Sequence, residues 1–185
     1  PERLYRGLFG GDEARMNRFF AEVVTKDWIQ DNDAGRPIRE GVADLVTRHP
    51  GVASQIRAFD ERWEEMLGPP IAENVAIAEN LLAKGMPVYA LSNWPEEKFH
   101  HARRSLPVLA RFRGVVVSGE VKVRKPHAAI FRLLIERHWL NAGTTGCVDD
   151  SEENVAAASS LGFRAVRWRT GDDLRAGLAA AGAPA

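Results

Sequence analysis

The chain has 185 residues, 45% of them hydrophobic, which suffices for one compact domain or for a core with a modest second lobe and argues against a disordered chain. Its 25 basic side chains balance 25 acidic ones, so charge gives no ground for expecting nucleic acid or an anionic membrane as partner. No apolar run reaches the ~20 residues that span a bilayer, the start has neither a basic n-region nor an apolar h-region, and the single Cys147 excludes an internal disulfide; a soluble, cytoplasmic protein is the expectation.

The first seventy residues carry a helical period. Met16, Phe19, Phe20, Val23 and Val24 share one side of a helix opened by Asp12, and Val42, Leu45 and Val46 repeat the spacing. Ile56, Phe59, Trp63, Met66 and Leu67 do so again, up to Gly68-Pro69-Pro70, where two prolines interrupt the helix and mark a lobe boundary. Beyond it, short apolar runs alternate with amphipathic helices, the mark of a parallel sheet built from βαβ units. Strands are predicted at Pro87–Leu91, Gly114–Val117, Gly146–Val148 and Ala165–Trp168. Helices are predicted near Glu73–Lys84, Pro95–Ser105, His127–His138, Glu152–Leu161 and Asp172–Ala181. The expectation is an α/β protein: residues 1–70 a small helical lobe and 71–185 a Rossmann-like core whose strands lie in one sheet, buried on both faces.

Ligands of such sheets bind beyond the carboxyl ends of the strands. Three of those turns carry chemistry. Ser92-Asn93 places a hydroxyl, an amide and backbone N–H groups at a helix start, an anion cradle or an ordinary cap. Lys125, before Pro126, places an ammonium at the mouth of the sheet, able to neutralise a phosphate or simply solvated in a loop. Asp149-Asp150 ends a buried strand with two mutually repelling carboxylates, reasonable if a hard cation such as Mg2+ sits between them and a phosphate. The plainer reading makes Asp150 or Ser151 a helix cap and pairs Asp149 with a base.

In that order and spacing these residues resemble the haloacid dehalogenase superfamily, in the subfamily with a helical cap. Ser92-Asn93 matches its second motif, Lys125-Pro126 with Ile130-Phe131 its third, and Val148-Asp149-Asp150-Ser151 with Asn154 its fourth. The resemblance makes residues 1–70 the cap, Ser92, Asn93 and Lys125 the phosphate binders, Asp150 the magnesium ligand supported by Asp149, and Asn154 a neighbour of that site. It implies attack by an aspartate, a phosphoaspartate intermediate and its hydrolysis by water. The family's first motif, Asp-x-Asp after an apolar strand, should precede the cap, yet Pro1-Glu2-Arg3-Leu4-Tyr5 reads as the cap's entry. The core is therefore expected to lack its first strand, with the nucleophile upstream and apolar edges left unpaired. Asp31-Asn32-Asp33 has the spacing but falls in a polar segment.

The implied activity is a magnesium-dependent phosphatase of small phosphorylated metabolites. The alternatives are a 2-haloacid dehalogenase, whose fourth motif tends to be less acidic, and an inactive interaction module. The five histidines show no transition-metal spacing, and His100-His101 suit a solvated helix face. Trp63 and Trp139 fit helix packing, while Trp28 could look toward substrate or pack in a core. The oligomeric state leaves no trace in the sequence.

Overall fold

A computed structural model describes residues 1–182. The first part is wholly helical: α1 (Glu2–Leu8), α2 (Glu13–Glu22), α3 (Lys26–Asp33), α4 (Ile38–Arg48), α5 (Ala53–Glu61) and the short α6 (Trp63–Met66). Local chemistry sets these boundaries. Asp12 accepts the Arg15 N–H at 3.0 Å and Thr25 the Trp28 N–H at 3.2 Å, each a side-chain cap stabilising its helix by ~1 kcal/mol. The apolar stripes read from the sequence meet in one core of Tyr5, Met16, Phe19, Val24, Trp28, Leu45, Ile56 and Phe59. Tyr5 is fully buried and its phenol donates to the Gln55 carbonyl at 3.0 Å, so its polar end is satisfied. Trp28 belongs to this core, edge-on to Phe59 and bonded through its indole N–H to the Gly41 carbonyl, the packing role rather than the substrate-facing one.

The second part runs α7 (Ala72–Ala83), β1 (Tyr89–Ser92), α8 (Phe99–Ser105), β2 (Gly114–Val117), α9 (Ser118–Val121), α10 (Ala128–His138), β3 (Gly146–Asp149), α11 (Glu152–Ser160), β4 (Arg164–Arg167) and α12 (Gly171–Ala180). Every strand expected from the sequence is present, displaced at the ends by at most two residues. The strands are parallel, with Ser92 opposite Val117 and Asp149 opposite Arg167. Its main core packs Val116, Ile130, Phe131, Leu134, Ala158 and Phe163.

One expectation is corrected here. The strands do not join into a single sheet: β1 pairs with β2 and β3 with β4, forming two separate two-stranded sheets. Between them lies a cavity of about 360 Å³, lined on one side by Tyr89 and Leu91 and on the other by Gly146 to Asp149. The flank of β1 away from β2 and that of β3 away from β4 carry no strand, so backbone donors and acceptors face this slot. Burial follows suit. Parallel strands are ordinarily covered on both faces, yet Val148 is 38% exposed, and α7, apolar in sequence, contains no fully buried residue.

Two smaller expectations also change. Trp139 is 92% exposed, because it ends α10 in the left-handed conformation (φ 48°), which swings it off the stripe buried by Ile130, Phe131 and Leu134. His101 is not on a solvated face: its Nδ1 lies 2.6 Å from Glu64 Oε1, and the Lys98 ammonium bonds Asp60 at 2.5 Å, so α8 and the residues just before it are tied to α5 and α6. No helix among the described residues is long and apolar enough to cross a membrane.

Candidate active site

The site forms where the ends of β1, β2 and β3 converge. Its geometry begins with a close backbone approach. After β2, the Gly119 N–H donates to the Trp94 carbonyl at 3.1 Å, and a Cβ on Gly119 would land against the Glu96 amide nitrogen. Only glycine lets the turn after β2 press on the turn after β1. Ser118, fully buried beside it, accepts the Trp94 N–H at 2.9 Å.

This contact brings Asn93, just past β1, to the peptide of Lys125. The Asn93 amide grips that peptide at both ends: Oδ1 accepts the Lys125 N–H at 2.8 Å and Nδ2 donates to its carbonyl at 2.9 Å. The anchored lysine reaches across the slot, and its Nζ lies 2.6 Å from Asp149 Oδ2, with side chains only 13% and 6% exposed. The other carboxylate oxygen, Oδ1, accepts the Ser151 N–H at 2.9 Å and the Asn154 amide at 2.8 Å. Burial by itself pushes the Asp149 carboxyl up, but the Lys125 charge and hydrogen bond, the Asn154 amide and the Ser151 N–H together outweigh it and hold the group below the ordinary carboxylate range. Cys147, two residues earlier on β3, is pushed up to about 11 by burial, against the pull of Lys125, so its thiol stays protonated near neutral pH.

The structure thus gathers Asn93, Lys125, Asp149 and Asn154 into one bonded chain and sets Ser92 at the adjoining end of β1. Asp150 stands apart. Its side chain is exposed, and among the described residues only its backbone carbonyl is engaged, at 3.4 Å from Arg167 Nε. Neither Asp150 nor Ser151 caps α11 through its side chain; the N-cap Ser151 donates its own N–H to Asp149 Oδ1. Sequence reasoning missed Ser118, in the turn after β2, and Arg124, which stands immediately before the matched Lys125-Pro126. Arg124 donates to the Lys125 carbonyl at 3.0 Å and to Gln30 Oε1 of α3 at 2.7 Å.

A magnesium ion asks for hard oxygen donors and is satisfied by one or two protein carboxylates with water and phosphate. Among the described residues no three or more His, Cys, Asp and Glu side chains gather to hold a metal. The Asp149-Asp150 pair nonetheless has the right chemistry for a cation shared with a phosphate, and since Asp149 is engaged by Lys125, the exposed Asp150 is the carboxylate open to it.

No protein-family profile matches the chain. A sesquiterpene phosphatase of Aspergillus oryzae is 30% identical over 94 residues, 51% of this chain and 48% of that protein, so the match spans about half of the curated relative's length. Among solved structures, a haloacid dehalogenase (HAD) family enzyme of Bacteroides thetaiotaomicron superposes with a TM-score of 0.67 at 22% identity, covering 91% of this chain and 83% of its own. The same enzyme in complex with magnesium and inorganic phosphate superposes at 0.63 and 22% identity, over 76% of this chain and 73% of its own. A dehalogenase superposes at 0.53 with 19% identity, over 69% and 57%. With its parallel α/β core, adjoining helical lobe and these structural neighbours, the chain has the haloacid dehalogenase-like fold.

Proposed function

We propose that this chain is the larger part of a magnesium-dependent phosphatase of small phosphorylated metabolites that works through an aspartyl-phosphate. One observation carries the reading: an ammonium and a carboxylate, Lys125 and Asp149, lie buried and bonded at the carboxyl ends of parallel strands, where a transferring phosphoryl group would need its charge balanced. Ser92 and Asn93 would bind phosphate oxygens with the N–H groups that follow β1, and Lys125 would turn from Asp149 toward the anion. Asp150 would hold the magnesium, Asp149 and Asn154 supporting it. Bound there, the ion would offset charge on the phosphoryl oxygens.

The slot between β1 and β3 is bordered by two strand edges that carry no partner strand, and the nucleophilic aspartate is proposed to lie at the carboxyl end of one more parallel strand seated there, within reach of Lys125. On this reading residues 1–70 form a cap over the strand ends, excluding water and choosing the leaving group, and 71–185 form the core that lacks its first strand. The partner is a soluble phosphoester in the cytoplasm. The magnesium and phosphate bound by the Bacteroides enzyme and the phosphatase name of the Aspergillus relative support phosphoester chemistry. Two carboxylates at the end of β3 weigh against the metal-free 2-haloacid dehalogenase reaction.

The test is hydrolysis of p-nitrophenyl phosphate by the intact protein containing these residues. Activity should vanish with EDTA and return on adding magnesium. Turnover of 2-haloacids instead, or phosphoester hydrolysis indifferent to the chelator, refutes the reading.

A further inference from the structure

The helical lobe meets the turns beyond the strand ends at several side chains, and one of them is itself bonded to the candidate catalytic lysine. Arg124 uses its two terminal nitrogens in opposite directions: Nη1 donates to the Lys125 carbonyl at 3.0 Å, and Nη2 to Gln30 Oε1 on α3 at 2.7 Å. Asp33, one turn further along α3, lies within the field of the same guanidinium. The carbonyl that Arg124 holds is the one Asn93 grips, so one carbonyl is held by an amide and by a guanidinium that is itself bonded to the lobe. A planar fork can serve two acceptors at once at fixed angles; an ammonium in its place cannot.

We infer that Arg124 is a positioning residue that couples α3 of the helical lobe to Lys125, so that the seating of the lobe sets how firmly the Lys125 peptide, and with it the ammonium, is held. Lobe movement that breaks the Gln30 bond frees one arm of the guanidinium, and the Nη1 bond to the Lys125 carbonyl is then no longer braced from the lobe. Recognition by the lobe would in this way reach the site without any lobe side chain touching the phosphate. The functional meaning rests on the phosphatase reading given above; the mechanical coupling does not.

The coupling is read from hydrogen exchange of the Lys125 N–H, the proton donated to Asn93 Oδ1. Gln30→Ala, a change in the helical lobe, and Arg124→Lys, which keeps the charge and loses the fork, should each speed that exchange about five- to tenfold. Gln30→Glu restores a stronger acceptor and should return exchange to the wild-type rate or below. Lys98→Met cuts the separate tie to Asp60 and serves as control, with exchange at Lys125 changing less than about twofold. Unchanged exchange in Gln30→Ala, or an equal effect from Lys98→Met, overturns the coupling. In the phosphatase assay, Gln30→Ala should lower kcat more than it alters KM for p-nitrophenyl phosphate. If the wild-type protein hydrolyses no phosphoester, the functional reading falls while the exchange rates still decide the coupling.

Discussion

Replacing Lys125 by methionine tests the central pair, because it removes the charge and nearly preserves the shape. At 2.6 Å and an effective dielectric constant of about 20, the gross attraction between Lys125 and Asp149 is about 6 kcal/mol, most of it offset by the cost of taking two ions out of water. The variant keeps that cost for Asp149 and loses the compensation. Breaking one partner of a buried pair costs about 3–5 kcal/mol, and the surviving bonds from Asn154 and Ser151 place Lys125→Met near the lower end, at about 3 kcal/mol. Urea unfolding near neutral pH, followed by tryptophan fluorescence, measures it. The double variant Lys125→Met with Asp149→Asn buries no charge and should lose about 1 kcal/mol or less.

The pH dependence gives the sign. In the wild type the Asp149 carboxyl is held below the ordinary value of 3.8, so its contribution is present above that value and disappears as the pH falls through its own lower one. Without Lys125 the group rises from that lowered value, so the deficit of Lys125→Met should shrink as the medium is acidified. A single variant costing under ~1 kcal/mol, or costing as much as the double, would refute the claim that these two groups stabilise each other in a buried setting.

Three further outcomes follow from other parts of the molecule. Asp33 is raised to about 6 by burial, against the pull of Arg124; its protonated form is favoured in the folded state, so that stability is full below 3.8 and is lost as pH rises through about 6. Asp33→Asn should therefore raise stability above pH 6, by about 2 kcal/mol, and flatten the profile in urea titrations between pH 4 and 8; an unaltered slope refutes this. Gly119→Ala puts a methyl group against the Glu96 amide nitrogen and 2.9 Å from the Trp94 carbonyl, which should cost about 2–3 kcal/mol and move the Asn93 and Lys125 amide resonances; an unshifted spectrum counts against the close approach. Trp139→Ser, at a side chain 92% exposed, should change stability by less than about 0.5 kcal/mol in thermal unfolding, and a larger loss would mean that the ring is covered in solution.

How much of this was legible beforehand differs by level. Strands and helices came from local patterning: Gly114–Val117 was read to the residue, and α7, α10, α11 and the three other strands within two residues at each end, because apolar period, caps and prolines act over a few neighbours. Asn93, Lys125 and Asp149 could be singled out because each stands at or beyond the carboxyl end of a strand, and Asn154 because the matched fourth motif includes it. Which carboxylate would be drawn inward could not be read. Asp149 is turned in by its place as the last residue of β3 and by the Ser151 N–H beneath it, while Asp150, next in the chain, points out.

The chain by itself determines its elements and the order of polar groups along the strand ends, since both depend on residues close in sequence. Only the tertiary structure decides that the strands fall into two pairs with a slot between them, that Ser118 and Gly119 press one turn onto another, and that Arg124 joins Gln30, 94 residues away, to the Lys125 carbonyl. Such pairings rest on distances between segments remote in the chain, and no periodicity or cap carries information about them.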